Sequence, residues 1–187
     1  MNRREAVQSI TLLLGGTIVG SSAFLTGCKT STSATLDFTN DDIAYLNEVG
    51  ETILPTTASS PGAKAANVGA FMTVMVKDTY TDEQQKTFKE GMKKLNDEAD
   101  KAYSNKFMKL DEKQKHDLLV KLDAEQKAYQ KDKKKEDPSH YFRLMKELTL
   151  LGYFTSEIGS KQARRYVETP GRYDGCLPYA KGDKAFA

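Results

Sequence analysis

Three short patterns recur along this chain and confine it to a helical fold. Thr39 with Asp42, Thr81 with Gln84, and Asp111 with Gln114 each place a capping side chain three residues before a carboxylate or amide. Such a pair satisfies two of the backbone donors that a helix start leaves open. Each pattern opens a run with helical spacing of apolar residues. Ile43, Leu46, Val49 and Ile53 follow the first, before Pro55 ends the run. Phe88, Met92, Leu95, Ala99 and Tyr103 follow the second, and Leu118, Leu119, Leu122 and Tyr129 the third. Between the first two, Asn67 is placed to cap a helix through Phe71, Val74 and Met75.

A fifth helix is the most apolar. Asp137-Pro138 reads as its cap and first position, followed by Tyr141, Phe142, Leu144, Met145, Leu148, Leu150, Leu151, Tyr153 and Phe154. Apolar residues on several faces predict the central helix, or one that also meets a partner. Ser160 to Tyr166 reads as a short final helix. From Thr169 onward periodicity vanishes and Pro, Gly and Tyr dominate. No stretch alternates as a strand would. The expected fold is all-α: a single bundle of about five or six helices with an irregular C-terminal arm.

The first residues give an address. Arg3 and Arg4 precede a short apolar segment, Ile10 to Val19, broken by Gly15 and Gly16, and Leu25-Thr26-Gly27-Cys28 reads as a lipobox. This is the layout of a secretory leader, and the segment falls short of the roughly 20 apolar residues of a membrane span. The expected domains are a lipoprotein signal peptide over 1–27, a lipid anchor and flexible tether over 28–37, and a helical domain over 38–187. Cleavage leaves Cys28 as the lipidated residue, at the periplasmic or outer face of a membrane. The paired arginines resemble a twin-arginine signal, which carries folded cargo.

Composition excludes several classes. The formal net charge is only +2, against a nucleic-acid partner. Of two cysteines, Cys28 takes lipid and Cys176 is left alone, as a free thiol or a link to another chain. One thiol with His116 and His140 makes no zinc, iron–sulfur or haem site. No glycine-rich phosphate loop follows a strand. Ser156, Glu157 and His140 form a conceivable catalytic set, but on a continuous helix His140 and Ser156 stand roughly 24 Å apart. We therefore expect no catalytic, cofactor-binding or metal-binding residue in this chain.

The ordered blocks Ile53-Leu54-Pro55, Ser60-Pro61-Gly62-Ala63, Gly152-Tyr153-Phe154-Thr155-Ser156-Glu157 and Thr169-Pro170-Gly171-Arg172-Tyr173-Asp174-Gly175-Cys176 resemble the gluconate 2-dehydrogenase subunit 3 family, over roughly Phe38 to Tyr179. The resemblance implies a non-catalytic small subunit of a membrane-bound sugar or sugar-acid dehydrogenase. In such complexes the large subunit holds FAD, and a haem-containing subunit, a cytochrome c, is often a further partner. The small subunit assists maturation and export of the large one. The expected partner contact lies on the arm, at Pro170, Gly171, Tyr173, Gly175, Cys176 and Pro178, with Cys176 placed to bond a partner cysteine. The competing reading is a stand-alone periplasmic lipoprotein that binds a small ligand.

Overall fold

The computed structural model describes residues 37–169 and 171–187. Arg3, Arg4, Cys28 and Pro170 lie outside the described residues. Five α-helices make the body: α1 (Asn40–Ile53), α2 (Val68–Thr79), α3 (Asp82–Tyr103), α4 (Glu112–Asp132) and α5 (Tyr141–Thr155). A 3-10 turn (Phe107–Lys109) joins α3 to α4, and a π-helical turn (Gly159–Ala163) follows α5. Among the described residues there is no strand, only the isolated bridges Thr57 to Ser60 and Arg165 to Phe186. The all-α bundle is thus the observed architecture, and its irregular arm runs on from the π turn.

All three capping boxes form. The Thr39, Thr81 and Asp111 side chains accept from the backbone of Asp42, Gln84 and Gln114, whose side chains accept in return. The apolar faces they launch meet in one core. Leu46 and Val49 of α1, Met72 and Val76 of α2, Phe88 and Leu95 of α3, Leu122 of α4 and Met145 of α5 are all buried. Helix α5 packs against each of the other four, the central place its apolar content predicts. Leu150 and Leu151 on its far side stay exposed.

Four local expectations are corrected. Helix α5 starts at Tyr141, not beside Pro138, and its cap is His140. Asp137 instead closes a turn, accepting from the Lys134 N–H at 2.8 Å. Asn67 precedes α2 in the left-handed region (φ 51°) without capping it. Its Oδ1 accepts from Asn47 Nδ2 at 2.9 Å, tying α2 to α1. Tyr129 is expected inward but is exposed. It lies in the last turn of α4, where its hydroxyl donates to the Pro138 carbonyl at 2.9 Å and its ring meets His140. The short helix after Ser160 stops at Ala163, because Arg164 and Arg165 run extended toward the end of the arm.

The His140 cap carries a pH signature. Its Nδ1 accepts from the Phe142 N–H at 3.3 Å, which requires a neutral ring. The side chain is only 11% exposed, with Glu125 3.8 Å away, and the ring stacks on Tyr141. Burial lowers the imidazole pKa below 6.5, assisted by Lys94 and opposed by Glu125. The unfolded chain therefore takes up this proton at higher pH than the folded one. Stability contributed by neutral His140 is complete above the unfolded value and is lost as pH falls below it. We expect the melting temperature to drop between pH 7 and pH 5, and to drop less in a His140→Asn variant, which keeps a capping side chain without titrating there. Parallel melting curves across that range check it; identical slopes would contradict it.

Candidate partner-docking surface

Tyr153 joins two of the sequence blocks. It sits on the buried face of α5, and its hydroxyl donates to the Pro61 carbonyl at 2.5 Å and lies 2.6 Å from Ser60 Oγ. Glu51, near the end of α1, holds the same loop from the other side. Its carboxylate accepts from the Thr56 N–H and hydroxyl, both at 2.8 Å, and from the Lys64 N–H at 2.9 Å. The Thr56 hydroxyl in turn accepts from the Gly62 N–H at 2.9 Å. Backbone bonds between Thr57 and Ser60, and from Ala63 N–H to the Leu54 carbonyl, complete the closure. The segment that composition marks only as a loop is thus fixed, with Thr57 to Ser59 exposed at its tip.

Below the loop a charge cluster ties α4 to α1. Lys115 is only 8% exposed and its Nζ meets Glu48 at 2.7 Å, while Lys64 meets the same carboxylate at 2.9 Å. The two lysine hydrogen bonds hold the Glu48 carboxyl below its ordinary range against the opposing effect of burial. Every charge here is paired, so the cluster serves the fold.

Ser156 and His140 have capping roles at opposite ends of α5. The Ser156 hydroxyl donates to the Tyr153 carbonyl at 2.7 Å and accepts from the Gly159 N–H at 3.0 Å. Glu157 pairs with Lys161 at 2.8 Å. No catalytic set is assembled from them. Among the described residues no group of three His, Cys, Asp or Glu side chains is arranged to hold a metal. No described helix is long and apolar enough to cross a membrane.

The arm leaves the π turn and returns to it. Arg165 N–H donates to the Ala185 carbonyl at 2.8 Å, and Ala187 N–H to the Arg165 carbonyl at 3.2 Å. Between these ends the chain presents aromatic and aliphatic side chains outward. Tyr173 is 96% exposed and Tyr179 77%, and Tyr166, Val167, Leu177 and Phe186 are also exposed. A cleft of about 360 Å³ lies among Val167, Tyr173, Leu177 and Phe186, with Arg172 and Asp174 at its edge. Gly171 (φ 71°) and Gly182 (φ 101°) take left-handed conformations that side chains disfavour. Of the residues expected to meet a partner, Gly171, Tyr173, Gly175, Cys176 and Pro178 all lie exposed on this arm. Cys176 is a free thiol, its N–H donating to Asp174 Oδ1 at 3.2 Å. Sequence reading misses the return of Phe186 to Arg165, for which no local signal exists.

A second cleft, about 330 Å³, opens between α1, α3 and the 3-10 turn, beside Asp42, Tyr45, Lys89, Asn96 and Lys106. Several of its polar groups are paired within the protein. Lys89 meets Asp42 at 3.1 Å, Asn96 accepts from the Phe107 N–H at 3.2 Å, and the Tyr45 hydroxyl donates to the Met92 carbonyl. Among the described residues no buried side-chain polar atom lacks a partner.

No curated protein and no solved structure matches the chain. The family model for gluconate 2-dehydrogenase subunit 3 matches residues 40–171. The match takes in all five helices, the loop pinned by Tyr153 and the start of the arm. It ends before Tyr173 and Cys176, and so leaves most of the arm outside the match. Covering well over half of the sequence, it establishes that the chain belongs to the gluconate 2-dehydrogenase subunit 3 family.

Proposed function

We propose that this chain is the non-catalytic accessory small subunit of a FAD-dependent sugar or sugar-acid dehydrogenase. Its family is that of a small subunit of a dehydrogenase complex. The observation that carries the finer reading is the arm, a segment whose aromatic side chains are displayed rather than buried. Tyrosine in that position suits a protein interface, where it is enriched, and isolated large apolar patches on a surface mark interaction sites. The large subunit holds the FAD and performs the oxidation.

The leader and the arm then divide the work. Arg3 and Arg4 supply a twin-arginine address for a flavin-loaded companion that must cross the membrane folded. The arm grips that companion. After cleavage, lipid on Cys28 tethers the pair to the membrane, each buried CH₂ adding about 0.8 kcal/mol. Residues 28–37 space the helical domain from the lipid surface.

Cys176 is a free thiol exposed on the arm, placed to bond a cysteine of the large subunit once a thiol oxidant of the compartment outside the membrane takes the two electrons and two protons that the new S–S bond releases. The reading is tested on non-reducing gels of the native complex. The chain is expected to migrate with a larger polypeptide and to separate from it when reduced or when Cys176→Ser is introduced. Unchanged migration of that variant would remove the bond. Absence of any larger companion in the native preparation would remove the accessory role itself.

A further inference from the structure

The arm has little structure of its own. Between Tyr166 and Lys184 the described residues form no helix or strand, and local turns supply its order. One of them, from Ala180 to Asp183, reverses the chain through two hydrogen bonds of 3.0 and 2.9 Å. The residues that follow run back to the π turn and to Arg165 just beyond it, and touch them in three ways. The backbone groups of Arg165 bond to Ala185 and Ala187 on either side of Phe186. The Arg165 guanidinium lies over the Phe186 ring, 4.0 Å from its centre, a cation–π arrangement. Lys184 Nζ donates to the Gln162 carbonyl within the turn.

Phe186 has a second neighbourhood. Its ring also lines the arm cleft with Val167, Tyr173 and Leu177. One side chain therefore both closes the arm at its base and shapes the surface the arm displays. Closing a loop removes conformational freedom from everything between its ends, and a segment ordered before binding loses less on binding.

From this geometry we infer that Lys184–Ala187 form a clasp that holds the aromatic arm in its docking conformation. The inference rests on the accessory-subunit reading for its partner, but the clasp itself belongs to the free chain. It makes the return segment a functional element although the family match ends at Gly171.

Two variants open the clasp in different ways. Phe186→Ala removes the ring from Arg165 and from the cleft. Ala187→Pro removes the N–H that bonds the Arg165 carbonyl. Both positions are exposed, so the helical body keeps its melting temperature. Amide hydrogen exchange of the full chain is expected to quicken about tenfold at the hydrogen-bonded amides of the arm, Cys176, Ala180 and Asp183, in each variant while α1 to α5 are unchanged. Affinity for the flavoprotein subunit is expected to weaken about tenfold, because the arm must then be ordered on binding. Unchanged exchange in the arm of both variants would overturn the clasp, and so would faster exchange with undiminished affinity. If the native chain binds no flavoprotein at all, the docking reading falls, while the exchange comparison still decides whether the clasp exists.

Discussion

Adding one methyl group at position 69 is expected to lower the melting temperature by roughly 4–8 °C, with a loss of about 2 kcal/mol. Gly69 lies in the first turn of α2 where that helix crosses α1. A Cβ there would stand 2.4 Å from the Ile43 carbonyl oxygen and 2.9 Å from the Asn47 backbone nitrogen. Both obstacles are main chain, so no rotamer change relieves them and the two helices must move apart. Separation would also break the Gly69 N–H bond to Asn47 Oδ1, now 2.8 Å, and disturb the Asn47 to Asn67 link. Better helix propensity returns less than about 1 kcal/mol of this. Gly175→Ala is the control: its nearest neighbour would be the exposed Tyr173 ring, and a surface change of that kind stays within about 0.5 kcal/mol. Thermal melts of the two variants compare them directly. Equal melting temperatures would show that the α1–α2 crossing is looser than described.

The largest effect on binding is expected from Tyr173→Ala combined with Tyr179→Ala. These are the most exposed of the large hydrophobic side chains described, at 96% and 77%, and they contribute little to the core of the isolated chain. Truncating an aromatic anchor at the centre of an interface costs about 2 kcal/mol or more. Two such losses, taken as additive, weaken capture of the large subunit by about 1000-fold. The melting temperature of the small subunit should stay within about 1 °C, since neither ring is buried. Titration of the flavoprotein against native and variant chains reads the difference. Equal affinities would move the docking surface elsewhere, with the exposed Leu150 and Leu151 of α5 the next face to test.

What could be read from residues alone was what is decided locally. The three capping boxes need only four consecutive residues each, and Thr39, Thr81 and Asp111 all cap where their spacing places them. The apolar rows of α1, α3 and α5 follow from helical periodicity. The sequence reading departs from the structure where other groups, near or far along the chain, compete for the same side chain or backbone. Asp137-Pro138 has the right local chemistry for a helix start, yet Asp137 bonds back to Lys134 and the helix begins where Tyr141 and Phe142 are buried. Asn67 has the right type for a cap, but Asn47 takes its side chain.

The candidate site divides along the same line. Its residue types, tyrosines and a lone cysteine among glycines and prolines, were legible as an irregular arm, and the structure leaves them exposed. Its supports were not legible. Tyr153 reaches Ser60 and Pro61 across more than ninety residues of chain, and Phe186 returns to Arg165 with no periodic pattern to announce it. The blocks Ser60-Pro61-Gly62 and Gly152-Tyr153-Phe154 therefore have a structural meaning, one loop held on one helix, that neither block shows by itself.

The central claim is that this chain acts by holding a flavoprotein and performs no oxidation itself. Affinity recovery of the chain from membranes, followed by visible spectroscopy and a sugar-oxidation assay, tests it most directly. The account predicts yellow material containing a larger polypeptide with flavin in near-equal amount, active as a complex, and no turnover by the small subunit once separated. Colourless, companionless material that oxidises a substrate unaided would contradict it.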